Sequence, residues 1–171
     1  ERKKKFLDEL ATFVDQIKAR KSMVPIEISG IAFKEDEDAY LNEKDCVLYE
    51  TRAVRHHIGG GIGLRIMKGV YVGGTRGASE SRDEWRTIDQ GHCVLTNKRI
   101  IFDGSKENRV IALAKVISAS PWADSIEVSI ENRKKSMLLK VSNPYLWSAV
   151  IQILSQVRNP KQIDKLSLEI K

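Results

Sequence analysis

The middle of this chain consists of short runs in which apolar and polar residues alternate, and this pattern restricts the fold more than any other feature. In the clearest run, Ile126, Val128 and Ile130 alternate with polar residues, which is the period of two expected for a strand with one buried face. Residues 137–141 alternate in the same way and follow the polar turn 131–135. The two runs therefore predict a β-hairpin.

Further runs of this kind are separated by turn residues, at the short spacing typical of all-β domains. They lie at residues 39–41, 46–53, 64–72, 85–88 and 110–118, and residues 93–102 predict a second hairpin. Because helical segments do not alternate with these strands, the pattern predicts an antiparallel barrel or sandwich and not a parallel sheet.

One amphipathic helix precedes the strands and another follows them. We expect the first to end near Lys21, because Pro25 disfavours helical backbone at the residue before it. The second begins with Asn143, a good N-cap, and Pro144, which the first helical turn tolerates. The apolar positions recur at helical spacing: Phe6, Leu10, Phe13, Val14 and Ile17 in the first helix, and Trp147, Val150, Ile151, Leu154 and Val157 in the second.

These elements predict how the chain is organised. A chain of 171 residues can hold one sizeable core. The predicted parts are a helix at 1–21, a β domain at 26–158 that ends in the helix 143–158, and a tail at 159–171.

A hairpin within this region carries a resemblance to a known family. The residues Val94-Leu95-Thr96-Asn97-Lys98-Arg99-Ile100-Ile101-Phe102 resemble the hairpin of bacterial pleckstrin-homology-like and GRAM-like domains. Asn97 in this hairpin can accept the positive φ that a tight turn demands. The resemblance runs from about residue 26 to 158 and includes Ile66-Met67-Lys68-Gly69-Val70 and Trp85-Arg86. It implies a partly open antiparallel β-barrel of about seven strands, capped by a C-terminal helix, with an interaction role that sometimes involves lipid head groups.

Charge and cysteine content suggest the kind of partner and the compartment. The net charge is +6 and the pI is near 9.3, which favours acidic partners. Cys46 and Cys93 are far apart in sequence and form no metal-ligand pair, so we expect two free, buried thiols. The expected location is cytoplasmic, with association to a membrane surface as an option.

Several motifs suggest chemistry but fit a structural role better. His92 and Cys93 are adjacent on a predicted strand and should point to opposite faces, which disfavours a catalytic pair. The pair His56-His57 has no third metal ligand at a recognised spacing, and the glycines at 59–63 match no nucleotide-binding motif. The acidic run at 35–38 is interpreted as solvated loop charge. We therefore expect no enzyme activity, no cofactor and no metal.

The most suggestive feature is a basic, glycine-rich insert. No Asp or Glu occurs between residues 52 and 79, and arginine can hold a phosphate through two hydrogen bonds while glycines allow a ligand close to the backbone. Two interpretations stay open: the cations bind an anion, or they face water and pair with Glu80, Asp83, Glu84 and Asp89. The candidate anion-binding residues are Arg52, Arg55, Arg65, Lys68 and Arg76.

The sequence thus predicts a non-catalytic interaction domain whose insert docks on anionic lipid or on an acidic protein surface. The alternative is a structural module that assembles with a partner protein or into a homo-oligomer. Sequence-specific binding of nucleic acid is not expected, because few aromatic residues accompany the cations.

Overall fold

The computed structural model describes residues 1–57, 65–67, 70–71, 79–157 and 159–163. Helix α1 spans Arg2–Arg20 and helix α2 spans Pro144–Gln156, and a short 3-10 turn at Leu113–Lys115 separates two strands. The strands are β1 Ala39–His57, β2 Arg65–Met67, β3 Val70–Tyr71, β4 Ser79–Thr96, β5 Arg99–Gly104, β6 Asn108–Ala112, β7 Val116–Pro121, β8 Ser125–Ile130 and β9 Met137–Lys140.

The strands form a seven-stranded sheet in the order β6-β5-β4-β1-β9-β8-β7, and β2 pairs with β3 separately. The pairings whose register is described are antiparallel, for example Leu48 opposite Leu139 and Val128 opposite Met137. The predicted architecture is therefore confirmed: mainly antiparallel β structure, open between β6 and β7, with one helix at each end of the chain. Two compact units are present, one formed by Glu1–Glu50 and Thr87–Lys171 and the other by Thr51–Arg86.

Both predicted hairpins are present, and some predicted strands are longer than expected. The runs 39–41 and 46–53 belong to one strand, β1, and the runs 85–88 and 93–96 belong to β4. The polar residues between the first two runs contain neither Gly nor Pro, and hydrogen bonds to neighbouring strands hold such residues in extended backbone despite their polarity.

Helix α2 covers the core that the sheet encloses. Its Trp147, Ile151 and Leu154 are buried, and the helix packs against β7, β8 and the 3-10 turn. The side chain of Asn143 accepts a hydrogen bond from the backbone N–H of Leu146 at 3.1 Å, as predicted for an N-cap. On the sheet, the inward-facing side chains share this core: Cys46, Leu48, Cys93, Leu95, Ile100, Phe102, Ile126, Val128, Met137 and Leu139.

Helix α1 packs on α2 and buries its apolar stripe there. Phe6, Leu10, Val14 and Ile17 are buried. The helix ends at Arg20 and is followed by the cap residue Lys21, whose φ of 53° is in the left-handed region. In the described part of the chain, we find no helix with the length and apolar character that a membrane crossing requires.

Candidate functional site

The predicted anion-binding residues are only partly described. Arg52 lies on β1 with an exposed side chain, Arg55 follows on the same strand, and Arg65 begins β2. Lys68 and Arg76 lie outside the described residues. Convergence of the five cations into one patch therefore stays a prediction.

Two of the alternative partners of these cations, Glu84 and Asp89, contact other groups. The Arg86 guanidinium contacts the Glu84 carboxylate at 3.2 Å. The carboxylate of Asp89 accepts hydrogen bonds from Ser105 Oγ at 2.8 Å and from the backbone N–H groups of Lys106 and Glu107 at 2.5 and 2.9 Å. These bonds, that of Lys106 foremost, lower the pKa of Asp89. Asp89 thus holds the turn between β5 and β6.

The hairpin that carries the family resemblance has a structural role. Glu37 is buried, and its carboxylate accepts hydrogen bonds from Arg99 Nε at 2.8 Å and Thr96 Oγ1 at 2.8 Å. A second oxygen accepts from the backbone N–H of Lys34 at 2.7 Å and from Arg99 Nη2 at 3.1 Å. The interpretation of the 35–38 run as solvated charge is therefore wrong for Glu37, because the loop docks on the turn between β4 and β5.

The turn between β4 and β5 differs from the tight turn with a positive φ at Asn97. The Thr96 hydroxyl accepts hydrogen bonds from the backbone N–H groups of Lys98 and Arg99 at 3.1 and 2.9 Å. Asn97 does not take a positive φ; its Oδ1 accepts from the Asp38 N–H at 2.9 Å and its Nδ2 donates to the Asp36 carbonyl at 2.9 Å. In the loop that docks on this turn, Asp36 has a positive φ of 54°, which a short polar side chain tolerates.

A second ion cluster lies on the inward face of the sheet. Glu50, two residues after buried Leu48, accepts hydrogen bonds from Arg109 Nε at 2.9 Å and Arg133 Nη2 at 2.7 Å. Arg109 also contacts Glu107 at 2.8 Å. Since Glu50 pairs with Met137 at the start of β9 and α2 follows the end of that strand, the cluster and α2 lie at opposite ends of β9.

The thiols and His92 do not form a catalytic pair. Cys46 and Cys93 are free and fully buried. A hydrogen bond with Cys46, together with burial, raises the pKa of the Cys93 thiol well above its ordinary value, which disfavours the nucleophilic thiolate. His92 points away from the core and contacts Asn42. Within the described ranges, no three His, Cys, Asp or Glu side chains are grouped so that they could hold a metal.

A groove with a volume of about 590 Å³ lies beside the docked loop. Its walls come from the segment between α1 and β1 and from the start of β1, which meet where the Ile26 N–H donates to the Ala39 carbonyl at 2.8 Å. The lining residues are Ile26, Glu27, Ile28, Ser29, Phe33, Glu37, Asp38 and Ala39. No pattern in the sequence predicts this groove, because the groove depends on how the segment folds back along β1.

Comparison with protein-family models, with curated proteins and with solved structures finds no match for this chain.

The two buried glutamates predict acid-dependent unfolding. Burial raises the pKa of Glu37 and of Glu50, but hydrogen bonds and charge from Arg99, and from Arg109 with Arg133, outweigh burial and lower each pKa below the ordinary 4.5. A carboxyl with a lowered pKa contributes stability above its unfolded-state pKa and loses it as the pH falls through the folded-state value. We expect the urea midpoint to change little from pH 7 to about pH 5 and to fall at lower pH.

The variant Glu50→Gln is the matched test of this pH dependence, measured by urea unfolding at several pH values. It should be less stable than the native chain at pH 7, and the difference should narrow as the pH falls below 4.5. If the stability of the two proteins fell in parallel as the pH is lowered, Glu50 would not be a source of the pH dependence.

Proposed function

We propose that this chain is a non-catalytic interaction domain that docks on anionic surfaces through the segment Thr51–Arg86. The distribution of charge carries the proposal. This compact unit contains seven Lys and Arg against three Asp and Glu, so it accounts for +4 of the net charge of +6. It also contains eight of the 11 glycines, which allow a ligand close to the backbone.

The contacts of the buried ionisable groups support a binding role over a catalytic one. Glu37 and Glu50 are each held by arginine, and the Cys93 thiol is kept protonated in the core. A catalytic acid, base or nucleophile needs access to a substrate and a pKa matched to its task. These groups instead stabilise the fold.

The resemblance of the hairpin at 94–102 to pleckstrin-homology-like and GRAM-like domains supports the same proposal. A seven-stranded antiparallel sheet followed by one helix is the architecture which that resemblance implies. Membership of the family is part of the proposal, and so is a cytoplasmic location at or near a membrane surface.

The mechanism is electrostatic docking, with no bond made or broken. Basic residues near an anionic membrane contribute on the order of 1 kcal/mol each, and the field decays over a Debye length of about 8 Å at physiological ionic strength. Arg52, Arg55, Arg65, Lys68 and Arg76 would together give measurable binding that weakens as salt is added.

Co-sedimentation with vesicles tests the proposal. We expect the native chain to sediment with vesicles that contain anionic lipid, and to remain in the supernatant with neutral vesicles or in high salt. Replacement of the five cations by serine should abolish most of the binding. The matched control replaces five exposed lysines outside the segment, and it should retain binding: Lys18, Lys34, Lys44, Lys106 and Lys115.

Equal recovery with anionic and neutral vesicles would remove the lipid hypothesis, and an acidic protein surface would become the better partner. If the five-cation variant and the five-lysine control lost the same amount of vesicle binding, net charge alone would account for the binding and the segment Thr51–Arg86 would have no special role.

Assembly with another protein or with a second copy is the other candidate function. The groove beside the docked loop favours it, since an acidic surface on a basic protein is complementary to the protein's own cations.

A further inference from the structure

Both apolar and acidic residues line the groove described above; we call the apolar residues its floor and the acidic ones, together with neighbouring Glu35, its rim. Ile26 and Phe33 are only partly covered, and neighbouring Val24 is 56% exposed. Glu27 lines the groove, and Glu35 lies two residues before the lining residue Glu37. Glu37 is neutralised by Arg99 and Asp38 pairs with Lys161 at 2.8 Å.

Two carboxylates make no contact within the described part of the fold: Glu27, which lines the groove, and Glu35, which lies in the loop beside it. Among the described residues, the side chains of Glu27 and Glu35 are exposed and make no hydrogen bond or ion pair. Because the chain as a whole carries a net charge of +6, an unpaired acidic rim around apolar side chains is complementary to a cationic segment that also presents an apolar residue.

The first turns of α1 present such a segment. Arg2, Lys3, Lys4 and Lys5 are consecutive and exposed, and partly exposed Leu7 follows. Arg2 lies over the Phe6 ring and Lys3 over the Tyr145 ring, whereas the ammonium groups of Lys4 and Lys5 have no partner among the described residues.

The basic turns and the groove of one chain are too far apart to meet. At the start of α2, Asn143 Nδ2 donates to the Phe6 carbonyl at 3.2 Å, which fixes the beginning of α1 there. Beyond the other end of α2, Lys161 pairs with Asp38 at the groove, and the Ile163 N–H donates to the Lys21 carbonyl. The two features thus lie at opposite ends of α1, a helix of 19 residues and about 28 Å.

We infer that the occupant of the groove is a second copy of this chain. The basic turns of each copy bind the acidic groove of the other, with Lys4 and Lys5 against Glu27 and Glu35 and with Leu7 on the apolar floor. Two such contacts related by a two-fold axis close a dimer. This pairing uses residues outside Thr51–Arg86 and does not depend on the proposed docking to anionic surfaces.

Light scattering coupled to size exclusion tests the inference on the whole chain. At low salt we expect a mass twice the monomer's 19.4 kDa, and in high salt the monomer, because exposed ion pairs are screened. The double reversal Lys4→Glu with Lys5→Glu should give a monomer at low salt, and so should Glu27→Lys with Glu35→Lys. All four changes in one chain restore opposite charges across the contact and should restore the dimer.

The matched control reverses two exposed lysines elsewhere, Lys106→Glu with Lys115→Glu, which changes the net charge as much as the reversal in α1. This variant should remain dimeric at low salt. A native chain that is monomeric at every concentration and salt tested would overturn the inference. A dimer that survives both surface reversals, or a fourfold variant that stays monomeric, would overturn it as well. Circular dichroism of each variant shows that the changes have not unfolded it.

Discussion

Replacement of Trp147 by alanine is expected to lower the free energy of unfolding by about 3–5 kcal/mol, the range seen for large-to-small changes in a core. Trp147 is 2% exposed and packs from α2 into the core cluster that the sheet encloses. The change removes buried apolar area and leaves a cavity that the rigid sheet can fill only in part. The urea midpoint of the variant measures the effect.

Trp122 provides a matched control, because the same substitution there affects an exposed side chain. It is 54% exposed, and its Nε1 donates to Glu127 at 3.0 Å on the surface. Trp122→Ala should change the free energy of unfolding by less than about 1 kcal/mol. An unchanged midpoint in Trp147→Ala would contradict the role of α2 as a cover of the core.

Replacement of Glu37 by alanine is expected to cost about 3 kcal/mol, because it leaves a largely buried cation without its partner. The guanidinium of Arg99 would lose two hydrogen bonds, and the fully buried hydroxyl of Thr96 would lose an acceptor. Urea unfolding of Glu37→Ala measures this cost at neutral pH.

Two further variants separate the buried contact from a general effect of charge. Glu35→Ala removes a neighbouring exposed carboxylate and should change stability by no more than about 0.5 kcal/mol. In a double-mutant cycle, Glu37→Ala with Arg99→Met should cost less than the sum of the single changes, since the second change removes the unpaired cation. If Glu37→Ala and Glu35→Ala lowered the free energy of unfolding equally, the loop at residues 35–38 would not be docked through Glu37.

The fold could be predicted from the sequence because its signals are local. A period of two identifies strands such as β8, and the Asn143-Pro144 pair identifies the start of α2. The lengths of β1 and β4 could not be predicted, because their polar stretches are held extended by neighbouring strands and not by their own residues.

The contacts of the charged residues were harder to predict because they join distant parts of the chain. Glu37 meets Arg99 across 62 positions, and nothing in an acidic run distinguishes a docked carboxylate from a solvated one. Glu50 did have a signal, since its position two residues after Leu48 places it on the inward face of β1. The convergence of Arg52, Arg55, Arg65, Lys68 and Arg76 into one patch stays a prediction, since Lys68 and Arg76 lie outside the described residues.

The packing of α1 on α2 has a consequence for synthesis on the ribosome. The bond between Asn143 and the Phe6 carbonyl joins residues 137 positions apart, so α1 is synthesised well before α2. Until α2 has emerged, the stripe formed by Phe6, Leu10, Val14 and Ile17 has no native surface to cover it, and exposed apolar surface of this kind makes nascent chains prone to aggregate. We expect the nascent chain to need a chaperone over this interval, and the docking of α1 to be among the last steps of folding.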